Sequence, residues 1–188
     1  MPADKELLRD GFARYSPGSR YARFLGPKST LTDDELRYLT EVDHETHFAI
    51  GAIRESDRCG LAIARFIRLS DRDATAEAAI AVADEAKGRG LGKLMFLRLC
   101  AAARERGIAR FRCELLASNT AMQNLLEQIA PDRTVETGGG VVTIELALPD
   151  VAPTALATAQ EHPMYRLFRA AAENAVEWTE AVRKLWRH

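Results

Sequence analysis

The stretch Ala76-Glu77-Ala78-Ala79-Ile80-Ala81-Val82-Ala83, followed by Asp84-Glu85-Ala86-Lys87-Gly88-Arg89-Gly90-Leu91-Gly92-Lys93, decides how this chain is read. Its first part is small and apolar at nearly every position, as an interior strand is. Its second part sets glycine at 88, 90 and 92 and then runs into Leu91, Leu94, Met95, Leu99 and Ala102, a wide apolar face at helical spacing. Glycine between a strand and a helix lets the backbone turn tightly and approach a ligand. The helix start adds unpaired N–H groups and the positive end of a dipole, which together suit a phosphate or pyrophosphate. Lys87, Arg89 and Lys93 add positive charge at the same place. The loop has no Gly-Lys-Ser/Thr ending, so it is not a P-loop. The dinucleotide pattern fails too, because Leu91 and Lys93 stand where a third glycine is needed. Taken alone, the loop also reads as a tight turn with solvated charges.

Upstream, Asp4 is placed to cap a short helix bearing Leu7, Leu8 and Phe12, and Pro17-Gly18 reads as a break. Ser19 to Leu25 follows, stopped by Gly26-Pro27, and Thr32-Asp33-Asp34-Glu35 is a capping box that opens another helix. Phe48 to Ile53 and Gly60 to Leu69 read as paired strands around Ser56-Asp57-Arg58, and Ala76 to Ala83 is the third. Downstream, Gly107 ends the glycine-headed helix and Arg110 to Leu116 is a strand. Ser118 or Asn119 caps a helix with Met122, Leu125, Leu126 and Ile129 on one face. Thr134 to Glu136 and Val141 to Leu148 flank Gly138-Gly139-Gly140 as a closing pair. The order predicts one α/β or α+β domain around a mixed sheet.

Residues 1–149 form that domain, 150–162 read as a linker, and 163–188 as a C-terminal helix. In the last segment Met164, Phe168, Ala171, Ala175, Trp178, Val182 and Leu185 make a narrow heptad stripe that predicts packing on the domain or a homodimer.

Composition narrows the function. The 188 residues are 47% hydrophobic and 28% charged with net charge −1, so no basic field exists for nucleic acid or an anionic membrane. No apolar run approaches the ~20 residues that span a bilayer, and the N-terminus has no signal-peptide core. Cys59, Cys100 and Cys113 are odd in number and widely spaced, which predicts incidental thiols in a reducing cytoplasm. For His44 and His47 no cysteine or acidic cluster makes a persuasive metal site, so no metal is expected, though both are candidates to line a substrate site.

The strand 76–82 followed by Lys87-Gly88-Arg89-Gly90-Leu91-Gly92 resembles the central motif of the GNAT acetyltransferases, Gln/Arg-x-x-Gly-x-Gly/Ala, with Lys87 at the Gln/Arg position. Leu116 to Met122 resembles that family's Asn-headed helix. Gly11-Phe12, Ser16-Pro17-x-Ser19-Arg20-Tyr21-x-Arg23-Phe24-Leu25 and Leu39-Thr40-x-Val42-Asp43-His44 resemble the GNAT domain of bacterial Pat-type protein lysine acetyltransferases. The resemblance implies a mostly antiparallel central sheet flanked by helices. It also implies acetyl-CoA as cosubstrate and transfer of acetyl to a primary amine, of a protein lysine or a small molecule. By the resemblance Glu77 is the general base, and its apolar sequence neighbours predict a raised pKa. It implies too that the coenzyme lies on Ala81, Val82 and Ala83 and on the loop Lys87, Gly88, Arg89, Gly90, Leu91, Gly92 and Lys93. Asn119 either meets the pantetheine or only caps its helix.

Two departures stand out. The usual strand before the first helix is not seen, and the family's general-acid tyrosine would fall near Leu126, which cannot donate a proton. A non-catalytic acyl-CoA sensor, which would keep the loop without needing Glu77, is the competing reading, and an interaction protein built on the C-terminal stripe is a third.

Overall fold

The computed structural model describes residues 4–150 apart from residues 55 and 71–73. Three short helices come first: α1 (Lys5–Ala13), α2 (Pro17–Phe24) and α3 (Asp33–Thr40). Then follow β1 (His47–Ile53), β2 (Gly60–Arg68), β3 (Thr75–Val82), α4 (Leu91–Glu105), β4 (Arg110–Leu116), α5 (Thr120–Ile129), β5 (Thr134–Gly138) and β6 (Val141–Ala147). The strands form one sheet in the order β1-β2-β3-β4-β6-β5. Every neighbouring pair is antiparallel except β3 and β4, whose parallel pairing follows from the crossover through α4. This is the mixed, mostly antiparallel sheet expected.

The ends of elements follow local chemistry. Thr32 Oγ1 accepts from the Glu35 N–H while Glu35 accepts from the Thr32 N–H, so the capping box is complete. The Pro17-Gly18 break reads differently in three dimensions: Pro17 is the first residue of α2 and Ser16 its cap. A proline's missing N–H costs nothing in the first helical turn, and its fixed φ suits it. Asp4 stands at the N-cap of α1 but its side chain makes no capping bond. Gly139 and Gly140, both at positive φ, close β5 onto β6 as a two-residue hairpin with Gly138 opposite Val141.

The core lies between the sheet and α4–α5. Phe48, Phe66, Phe96 and Phe111 run through it with ring centroids 5.4–5.9 Å apart, and Leu99, Leu126, Ile144 and Leu146 close around them. A smaller cluster of Phe12, Leu31 and Leu36, backed by Leu8, Phe24 and Leu39, joins α1, α2 and α3. Cys59, Cys100 and Cys113 are buried free thiols, and burial pushes the Cys100 thiol up to about 12. Leu126 is wholly buried in the core, so the position of the family's tyrosine is occupied by packing. Among the described residues, β1 is an outer strand and no strand precedes α1. The heptad stripe of 163–188, and all of the linker except Asp150, lie outside the described residues.

Candidate functional site

β3 and β4 pair only at Thr75–Arg110, Ala76–Phe111 and Glu77–Arg112. Beyond Glu77 both strands continue, β3 to Val82 and β4 to Leu116, without pairing. Glu77 therefore stands at the apex of a V-shaped parting in the sheet. Antiparallel alternation decides which backbone groups face it. The Ala83 N–H donates to the Leu61 carbonyl at 2.8 Å, so the amides of Ala83, Ala81 and Ala79 are directed toward β2, and those of Ile80 and Val82 toward the gap. Of the three strand residues expected to meet a coenzyme, only Val82 offers its backbone there.

The glycine loop closes the wide end of the V. A 3-10 turn at Asp84–Ala86 leads into it, and Gly88 and Gly90 both adopt positive φ, 71° and 79°. Gly90 is the N-cap of α4, and the first intrahelical bond runs from Leu94 N–H to the Gly90 carbonyl. The amides of Leu91, Gly92 and Lys93 thus belong to the unpaired first turn. The Leu91 side chain is buried in the core, so only its backbone belongs to the site, whereas Arg89 and Lys93 are exposed. Lys87 departs from expectation. Its Nζ donates to Asp84 Oδ1 at 2.5 Å and to Ser19 Oγ at 2.6 Å. Asp84 also accepts the Ser16 N–H at 2.8 Å and the Ser19 hydroxyl at 2.7 Å, so this cluster ties the loop to the start of α2. Lys87, the Ser16 amide and the Ser19 hydroxyl hold the Asp84 carboxyl well below the usual carboxylate range. Asn119 caps α5, its Oδ1 accepting the Met122 N–H at 3.2 Å.

The loop fits an anionic cosubstrate: unpaired amides, a helix N-terminus and two exposed cations meet where the sheet opens. Among the described residues no group of three His, Cys, Asp or Glu side chains is arranged to hold a metal, and no helix is long and apolar enough to cross a membrane.

On the sheet face opposite the core, α2 and α3 roof a cleft of about 340 Å³ lined by Arg23, Phe24, Tyr38, Arg65, Glu77 and Ala79 among others. Glu77 is exposed within it. Its sequence neighbours Ala76 and Ala78 are buried in the core on the other face, so the apolar surroundings expected for Glu77 are not its own. What surrounds it is cationic. Arg65 is only 4% exposed, its guanidinium lies 5.3 Å from the Tyr38 ring centre, and its Nη2 meets His47 Nε2. Burial, reinforced by the neighbouring Arg23, lowers the Arg65 pKa to about 10, still high enough to keep its charge at neutral pH. Burial and then Arg65 lower the His47 pKa to about 4, so His47 is a neutral imidazole with a lone pair for Arg65. His47 thus reaches the cleft by orienting Arg65, while His44 packs edge-on to Phe48.

The sequence shows Arg23 and Asp84 only as members of longer motifs and gives Arg65 and Tyr38 no place in a site. Arg65 carried a signal, since it is a lone charge between Ala64 and Phe66 in an apolar strand. The others meet only through long-range packing.

A family model described as the acetyltransferase (GNAT) family matches residues 11–130. Acetyltransferase Pat of Mycolicibacterium smegmatis is 31% identical over 151 residues, which cover 80% of this chain and 45% of that relative, so the chain spans under half of its length. The crystal structure of the GNAT domain of S. lividans PAT superposes with a TM-score of 0.71 at 28% identity, covering 78% of this chain and 86% of that one. The yncA protein of Salmonella typhimurium, solved with its cofactor acetyl-CoA, shares the fold at a TM-score of 0.61 and 18% identity over 81% of this chain and 92% of its own.

Proposed function

Because the chain belongs to the acetyltransferase (GNAT) family, we propose that it transfers acetyl from acetyl-CoA to a primary amine, with residues 1–149 as the catalytic domain and Glu77 as the general base. The observation that carries this reading is the position of Glu77, at the apex where β3 and β4 part and open to the cleft. Amides at 88–93 bind the diphosphate, helped by Arg89 and Lys93, and the Val82 backbone faces the arm of the coenzyme. Bound acetyl-CoA supplies the activated acyl carbon and a thiolate leaving group whose thiol pKa, near 8.5, makes departure easy. The chain's own task is the proton. A lysine-type amine has a pKa near 10.4, so only about one part in 10³ is free at neutral pH. Glu77 accepts that proton, directly or through water, as the nitrogen forms the new C–N bond and the C–S bond breaks. Among the described residues Glu77 has no hydrogen bond and no ion pair within 4 Å, so its oxygens are free to take it.

Titration with acetyl-CoA by calorimetry, followed by thiol release over an amine and peptide panel, tests the reading. Glu77→Gln is expected to bind the coenzyme as the parent does and to lose about 10²–10⁴ in turnover. Parental turnover in Glu77→Gln removes the base, and a coenzyme that does not bind removes the whole proposal.

A further inference from the structure

We propose that the cleft beside Glu77 takes a small acceptor that carries a carboxylate next to its amine, an amino-acid-like zwitterion whose carboxylate is held by Arg65 and Arg23 while its amine faces Glu77. The inference rests on the acetyl-transfer reading above and names the chemical class of its acceptor.

Three charged side chains line one cleft without neutralising one another. Arg65 is only 4% exposed, and among the described residues its Nε has no hydrogen-bond partner. Its only polar partner among the described residues is His47, a neutral ring that offers a lone pair but no compensating charge. Arg23 is half-buried beside it, its guanidinium 5.2 Å from the Phe24 ring centre, and among the described residues it has no hydrogen bond or ion pair. Glu77 interacts with both arginines across the cleft but pairs with neither within 4 Å. Glu35, the other carboxylate on the lining, is already engaged by Lys28 and the Thr32 amide.

A guanidinium buried without a counter-ion is costly, and an incoming carboxylate removes that cost on binding. Arginine is the side chain whose planar fork matches a carboxylate with two parallel bonds. With Arg65, Arg23 and Glu77 as the charges left unpaired on the lining among the described residues, the cleft is the electrostatic complement of a molecule with one amine and one or two anionic groups. Its volume of about 340 Å³ is at the lower end for small-ligand sites. A free small molecule brings both groups into it together. In a peptide, the long lysine stem keeps the amine well away from neighbouring acidic side chains, and these would end at the rim.

The test compares matched acceptors on the full chain with acetyl-CoA: β-alanine against β-alaninamide, and 4-aminobutyrate against 4-aminobutanamide. Acceptor binding is read by calorimetry and kcat/KM by thiol release. The carboxylate of each pair is expected to be favoured by about tenfold or more, the worth of a charge-assisted bond. Arg65→Met and, separately, Arg23→Gln should cut that preference toward parity while coenzyme affinity stays at the parent value. The half-buried Arg23 keeps the test usable where Arg65→Met folds poorly. Equal use of acid and amide by the parent overturns the inference and leaves acetyl transfer standing. So does a preference that survives both variants, or one found only for a peptide lysine beside aspartate rather than asparagine. A pH profile displaced equally for acid and amide in the variants also overturns it, since the arginines would then act only on the amine's pKa. Calorimetry of β-alanine without coenzyme reads the cleft even where no turnover is found, and absence of binding there overturns the inference too.

Discussion

β2 and β3 present alternate residues to two different worlds. Toward α4, Ala62, Ala64, Phe66, Ala76 and Ala78 are sealed under Phe96 and Phe111. Toward α2 and α3, Arg65, Ile67, Glu77 and Ala79 line an open cleft that concentrates charge. The same backbone therefore serves packing on one side and chemistry on the other. Stability and turnover should accordingly respond to different substitutions only one residue apart.

The largest effects test that separation directly. Glu77→Gln should lower turnover about 10²–10⁴-fold while denaturant unfolding moves by no more than about 0.5 kcal/mol. Phe111→Ala should do the reverse, costing about 3–5 kcal/mol in urea unfolding through the cavity left in the core, with Glu77 untouched. A Glu77→Gln protein that unfolds as readily as Phe111→Ala would break the comparison.

Arg65 sharpens it, because it is buried yet belongs to the cleft. Replacing a buried, uncompensated cation with an apolar side chain of similar length is often neutral or stabilising. Arg65→Met is therefore expected to unfold within about 1 kcal/mol of the parent, or later than it. A loss above ~2 kcal/mol would make Arg65 part of the scaffold.

Asn119→Ala should cost about 1 kcal/mol of stability through the lost cap, with coenzyme affinity changed little by calorimetry.

The smallest effect concerns pH. His47 is lowered from 6.5 to about 4 by burial and by Arg65, with Asp43 and His44 also acting on it. The unfolded chain then binds more protons than the folded one between those values. The stability His47 contributes is complete above pH 6.5 and is lost as pH falls toward about 4. His47→Gln should flatten that part of a stability profile measured by chemical denaturation, and an unaltered slope would count against the placement of His47 beside Arg65.

Much of the fold was legible because it is written locally. Thr32 and Glu35 announce α3, Gly107 ends α4, and alternation of small apolar residues marks β3 as interior. Pro17 reads as a break in sequence yet begins α2, because a proline that interrupts a helix and one that begins it look alike until the cap at Ser16 is known. The candidate site was half legible. Glu77 and the glycine loop sit in one continuous motif, so spacing alone brings them together. The cleft is assembled from α2, α3, β2 and β3, and nothing short-range says that Arg23 comes to lie near Arg65. Asp84 was hidden for the same reason: its partners Ser16 and Ser19 are 68 and 65 residues away.

The parting of β3 from β4 also writes a readable signature in solvent isotope exchange. Along a single strand, Ala79, Ala81 and Ala83 direct their amides into the ladder with β2, while Ile80 and Val82 face a gap with no partner strand. Deuterium should enter at Ile80 and Val82 ahead of Ala79, Ala81 and Ala83, and a bound coenzyme that supplies the missing acceptors would erase this alternation.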